Sequence, residues 1–187
     1  MKEYLLLLPI IFIFHDMEEI VGFGWFFRRY PGLFKCHPKL TAAYRGFTDA
    51  GFAVAVYEEF IPFFGLTLLA YYFPSKVLFA IWYGMLLSLT GHFVLHILVC
   101  LYLKKLVPSL ITSLICLPIG ILIMIKTACY LTFDGLTSTV VVLTIPAMAA
   151  NGKLAHRIMH LFNRKTTDNR PESICDRRKA QSHSSWQ

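Results

Sequence analysis

The chain has 187 residues, of which 56% are apolar, 15% aromatic and 16% charged, with a formal net charge of +7 and a mean hydropathy of +0.57. Ordinary soluble domains carry about a quarter charged residues, so this composition cannot cover a water-exposed surface. It excludes a disordered protein, a disulfide scaffold and a typical soluble enzyme. An integral membrane protein remains, all-α, a bundle of about five transmembrane helices.

Crossing about 30 Å of hydrocarbon takes about 20 apolar residues, and five runs of that kind follow in chain order. The first extends from about Tyr4 to Phe27 and is closed by Arg28 and Arg29. It reads as a retained span rather than a cleaved signal, because His15, Asp16, Glu18 and Glu19 break its apolar centre and no A-x-A site follows. The second runs from about Phe47 to Phe73, with Tyr71, Tyr72 and Pro74 at its exit. The third runs from about Val77 to Leu103 and stops at Lys104 and Lys105. The fourth runs from about Val107 to Phe133, with Pro108 suited to a first turn and Pro118 to a kink. The fifth starts near Leu136, reaches about Ala150 and continues as a basic interfacial segment to Phe162. Residues 1–162 thus form a five-span membrane domain. Residues 163–187, polar and rich in Ser, Arg and Lys, read as a basic, disordered cytoplasmic tail.

Charge orients these spans. Residues 28–46, the Lys104–Lys105 turn and the C-terminal tail fall on one side and hold 15 of the 18 Lys and Arg. That side is expected to be cytoplasmic, with the N-terminus outside, the layout of a multi-pass protein of a bacterial inner (plasma) membrane. The basic loops can attract anionic lipids, but no base-reading or stacking groups accompany them, so no nucleic-acid partner is expected. The five cysteines form no CxxC pair and no regular framework.

Ionisable side chains inside a bilayer are costly, and those that persist usually face the bundle interior and serve function. Span one carries His15, Asp16, Glu18 and Glu19; span two carries Glu58 and Glu59; span three carries His92 and His96. At about 1.5 Å per residue, His15 lies near mid-membrane, and the other groups, with Asn151 of span five, fall within about 9 Å of it on the cytoplasmic side. In His15-Asp16-Met17-Glu18-Glu19 the two glutamates share a face with the histidine, as His92 and His96 share one. Glu58 and Glu59 are about 100° apart, so only one of them can face the same point. Gly91 is read as a place where another helix approaches closely. Polar bonds between membrane helices contribute about 0.6–2 kcal/mol, too little to offset burial of four or more carboxyls as mere adhesive.

Imidazole with carboxylate is the ligand set of zinc and of non-haem iron or manganese. H-x-x-E and H-x-x-x-H each place two ligands on one helical face, as in bundle metal sites. The order is not the HExxH of a zincin. The HDMEE segment resembles the signature of the HXXEE family of small integral membrane proteins. VPSLITSLICLP (residues 107–118) is similar to that family's proline-led fourth span of Pro-x-x-x-Thr type, and the GHFVLH segment (residues 91–96) also fits. This resemblance covers residues 4–150. It implies His15, Glu18 and Glu19 as the characteristic positions and no established activity. Typical members carry Asn after the His, where this chain has Asp16, an added acid able to bind metal or raise a neighbour's pKa.

The function expected from these features is a membrane-embedded, metal-dependent enzyme, a hydrolase or an acid–base catalyst such as an isomerase, acting on a lipophilic small molecule. His15, His92 and His96 with Glu18 or Glu59 would hold a divalent metal, zinc ahead of iron or manganese. Glu19 by preference, with Glu58 as the second catalytic carboxyl, would act as general base toward a water that the ion acidifies. Asp16 and Asn151 would support the site. A proton- or cation-coupled transporter or channel is the alternative, weakened by the lack of an inverted repeat that a homo-oligomer could supply. A non-catalytic lipid-binding or interaction protein is a third. His156 and His160, interleaved with Lys153 and Arg157, read as headgroup contacts, and His37, Cys36 and His183 as loop or tail chemistry.

Overall fold

The structure, a computed structural model, describes residues 1–168. The tail beyond lies outside the described residues, and with it most of the stretch expected to be disordered. Among the described residues every element is helical: α1 (Lys2–Leu5), α2 (Leu7–Arg29), α3 (Leu33–Cys36), a 3₁₀ turn at Ala42–Tyr44, α4 (Asp49–Tyr72), α5 (Lys76–Leu103), α6 (Leu110–Ala128) and α7 (Gly135–Asp168). Helices α4, α5, α6 and α7 have the length and hydropathy to cross a membrane. Helix α2 matches them with 23 residues but is diluted by His15, Asp16, Glu18 and Glu19.

Local chemistry sets the starts of these helices. Thr48 Oγ1 accepts from the Gly51 amide at 3.0 Å, Ser75 Oγ from Leu78 at 3.2 Å, and Asp134 Oδ1 from Thr137 at 2.9 Å. Each satisfies an amide that the first turn leaves free. Two boundaries differ from those read in the sequence. The fourth span begins at Leu110 rather than near Val107, because Ser109 adopts a left-handed φ of 75° that no helix continues through, and it ends at Ala128. The fifth does not break near Ala150 or end at Phe162 but runs unbroken to Asp168.

Pairwise contacts give the topology. Trp82 Nε1 donates to the Leu5 carbonyl at 3.0 Å, and the His15 ring meets Phe93 at 4.7 Å, so α2 and α5 run parallel. Phe12 stacks on Phe63 at 4.4 Å and Arg28 lies 3.6 Å from Asp49, so α4 is antiparallel to α2. Helix α6 is antiparallel to α2 as well, with Thr112 at His15 and Pro108 at Gly22. Helix α7 runs alongside α5, with Lys76 bonded to Asp134 and Thr144 against Gly84. Phe12, Phe63, Trp82, Met85 and Phe93 fill the centre, while Ile10, Val21, Leu101, Ile125 and Val142 point outward. Apolar residues outside as well as inside are what a bilayer environment allows.

Arg28, Arg29, Lys35, Lys39, Arg45, Lys104, Lys105, Arg164 and Lys165 therefore collect at one end of the bundle, and Lys2, Lys76 and Lys126 at the other. At the basic end, Asn163 Nδ2 donates to the Gly46 carbonyl at 2.9 Å, and Thr48 Oγ1 donates to Asn163 Oδ1 at 2.5 Å. These bonds tie the 30–48 loop to α7.

Gly91, expected to admit a neighbouring helix, has nothing within 4 Å of where a Cβ would stand; it borders a cavity instead. The close approach is at Gly84, where a Cβ would lie 2.6 Å from Thr144 Cβ and 3.0 Å from the Val141 carbonyl. A Gly84→Val substitution should cost about 1–3 kcal/mol by overpacking. A lower thermal midpoint of the purified protein is the expected outcome, and an unchanged one would contradict the α5–α7 packing.

Candidate metal centre

Four side chains from two parallel helices converge at mid-bundle. From α2 come His15 and Glu19, one turn apart; from α5 come His92 and His96, likewise one turn apart. One ligand atom from each lies within 4.8 Å of the other three. His96 Nε2 is 2.7 Å from His92 Nε2 and 2.9 Å from Glu19 Oε1, which is 3.7 Å from His15 Nε2 and 4.0 Å from His92 Nε2. A tetrahedral zinc site with bonds of 2.0–2.1 Å has ligand–ligand edges of about 3.3 Å, and these four distances bracket that value. His15 is fully buried and Glu19 is 5% exposed.

Helix α6 fixes which nitrogens face inward. Thr112 Oγ1 donates to Glu18 Oε2 at 2.7 Å, and the Thr112 amide donates to the same oxygen at 2.8 Å. The hydroxyl's remaining role toward His15 Nδ1, 3.0 Å away, is acceptor. His15 therefore carries its proton on Nδ1 and presents a bare Nε2. Ser109 Oγ lies 2.8 Å from His96 Nδ1, and by accepting from that nitrogen it would leave His96 Nε2 bare in the same way. Orientation of ligating imidazoles by a partner on the second nitrogen is the usual device of metal sites. His15 Nε2 and His96 Nε2 thus face Glu19 Oε1, and His92 Nε2 lies within hydrogen-bond distance of His96 Nε2. His15 Nε2 and Glu19 Oε1 are both buried without a hydrogen-bond partner, and a cation between them is what would satisfy both. The donor set fits a metal ion.

The other residues singled out in the sequence lie around this cluster. Glu18 is outside it and is held by Thr112. Glu59 also lies outside it, on the wall of a cavity of about 540 Å³ that adjoins His92. Asp16 is on the same wall. Glu58 points elsewhere, toward Asn151, whose Nδ2 lies 3.5 Å from its Oε2. Glu19, expected as a general base, lies within the four-residue cluster that could hold a metal.

Some contributors escaped the sequence reading. Ser109 and Thr112 were visible only as polar members of an apolar span, and their three-residue spacing, which puts both on one face, was the available signal. His156 is not a headgroup contact: it lines the cavity, with Nδ1 2.8 Å from the Gly152 carbonyl. Tyr44 of the 3₁₀ turn closes the same cavity from the loop, its ring 5.4 Å from that of His156. No pattern in residues 28–48 indicated it.

The model of a family described as "Protein of unknown function with HXXEE motif" matches residues 6–123. The chain belongs to the HXXEE family. The motif letters fall on His15, Glu18 and Glu19, so in this HXXEE protein the first and last of them enter the cluster and the middle one anchors α6. No curated protein and no solved structure matches the chain.

A Thr112→Val variant leaves His15 Nδ1 without its acceptor and Glu18 with only the backbone amide. The expected loss is about 1–3 kcal/mol of stability, read as a lower thermal midpoint, with Thr112→Ser close to the parent. Equal midpoints for Val and Ser would show that the hydroxyl does not orient His15.

Proposed function

We propose that this protein is a membrane-embedded, metal-dependent enzyme whose substrate is lipophilic. The observation that carries the reading is the convergence of three imidazole nitrogens and one carboxylate oxygen, two of the imidazoles held bare-side-in by hydroxyls of α6. His15, Glu19, His92 and His96 hold the ion. Zinc is favoured because four N and O ligands at tetrahedral spacing suit an ion with no coordination preference of its own, whereas manganese favours six oxygen-rich ligands.

With four side chains filling a tetrahedral shell, such an ion would polarise a carbonyl or acidify a water by taking it as a fifth ligand. The chain's own residues supply the rest. His92 and Glu19 are the ligands that border the cavity, so the substrate approaches there. The walls of that cavity are largely apolar, with Phe12, Phe52, Phe63, Leu95 and Met148, and accommodate a lipophilic body. Glu59, half-buried on the wall, is placed to take a proton from the reacting group and return it. Hydrolysis and proton-transfer isomerisation both use that set.

Purified protein should carry about one zinc ion per chain, measured by elemental analysis. His15→Ala and His92→Ala should each lose it, while Glu59→Gln should keep it and lower turnover of a lipophilic substrate by about 10²–10⁴-fold. A folded wild type that stays metal-free after exposure to zinc would refute the centre.

The basic end of the bundle is assigned to the cytoplasm by the excess of Lys and Arg there. Cys36 and Cys129 are both exposed and lie at opposite ends. An impermeant thiol reagent applied to intact cells should label Cys129 and spare Cys36, and the converse pattern would invert the orientation.

A further inference from the structure

Two acceptors on the cavity wall lack a donor, and neither belongs to the metal cluster. Asp16 is only 4% exposed, yet its Oδ2 has no hydrogen-bond partner, and the residue lines the cavity. His156 Nδ1 donates to the Gly152 carbonyl, so its Nε2 is a bare lone pair, and that atom too is buried and unpartnered. A carboxylate oxygen and an unprotonated imidazole nitrogen accept hydrogen bonds and donate none. A buried acceptor left in this state keeps its whole desolvation penalty, and a ligand with donors removes it.

The character of the wall narrows that ligand further. Asp16, Glu19 and Glu59 all border the cavity, and among the described residues that line it there is no Lys or Arg. A phosphate or carboxylate headgroup is recognised by guanidinium, ammonium or clustered N–H donors, and would meet acceptors and like charge here. A fatty alcohol offers a single donor for two acceptors. An ammonium group offers three donors and no acceptor, and the apolar Phe12, Phe52 and Phe63 on the same wall suit the chain that carries it.

We infer that the cavity binds a lipid-soluble amine: a protonated amino group directed at Asp16 and His156, carried on an apolar chain that lies along the Phe12–Phe63 wall. This rests on the reading of the cavity as the substrate pocket of the proposed enzyme, and it names the substrate's class.

The test uses the full chain in phosphatidylcholine nanodiscs with radiolabelled hexadecylamine, and empty nanodiscs as the partition blank. Saturable binding above the blank is expected, with hexadecanol competing at least ~10-fold more weakly and hexadecanoate not competing, as loss of charge-assisted donors requires. Asp16→Asn combined with His156→Phe should weaken binding at least ~10-fold. Hexadecanoate or phosphatidic acid competing as well as the amine would overturn the inference, as would binding no greater than in empty nanodiscs. This order of competition is read on the wild type, so the result stands even if the double variant does not fold. Zinc measured on the same preparation separates the two readings. Zinc without saturable amine binding overturns the inference and leaves the metal centre, while amine binding without zinc does the reverse.

Discussion

His15 Nε2, His92 Nε2, His96 Nε2 and Glu19 Oε1 lie within 4.8 Å of one another, a crowding of acceptor atoms that a positive charge among them would relieve. In water such a group would relax by hydration or by rotation of its side chains. Inside a bundle in hydrocarbon these escapes are narrow for the buried members His15, Glu19 and His96, since polar groups there must be satisfied by the protein or by what it binds. Two of the imidazoles are further pinned from behind by Thr112 and Ser109. The architecture around the cluster is intelligible as the means of keeping four acceptors together.

Parallel packing of α2 and α5 is the first requirement. It sets one i, i+4 pair beside another at a common depth, so that a short motif on each helix completes a four-atom set. Helix α6, antiparallel to both, then presents its first turn at the same level. Gly22 fixes how near that turn comes, because a Cβ at this position would stand 2.6 Å from Pro108 Cβ. Only with α6 this close can Thr112 reach His15 and Glu18 together. Glu18, which shares its helix face with the ligands, thereby serves as the tie between α6 and the centre. The left-handed turn at Ser109, which shortens the fourth span, is also what brings its hydroxyl to His96.

The membrane class, the helical fold and the common depth of the His and Glu side chains were legible in composition and spacing, because bilayer thickness and the 3.6-residue turn translate directly into both. Helical phase also showed that Glu58 and Glu59 must diverge, and Glu59 reaches the cavity while Glu58 turns to Asn151. Choosing among Glu18, Glu19 and Glu59 as ligand was beyond the sequence. Glu18 and Glu19 share a face, and what separates them is a hydroxyl on a third helix whose register depends on a glycine and a single positive φ. Gly91 misled for a related reason: a small residue signals open space, and that space can be filled by a neighbouring helix or left as a cavity. Tyr44 and His156 became visible only when the 30–48 loop folded back and α7 continued past Ala150, a continuation its basic residues had disguised as an interfacial segment.

A relay for protons would use the same residue types in a different arrangement. Conduction along a path requires groups that alternate between donating and accepting, strung out in the direction of travel. Here three histidines and a glutamate crowd one point, and the His15 imidazole carries its proton on the far side, locked by a hydroxyl that cannot pass it on without giving up Glu18. That geometry suits holding a cation better than passing protons along a path. His92 and Glu19 border a cavity whose walls are mostly apolar and whose buried, unpartnered atoms include Asp16 Oδ2 and His156 Nε2. A cluster that could hold a cation and a largely apolar cavity lined by acidic side chains thus lie side by side in the bundle.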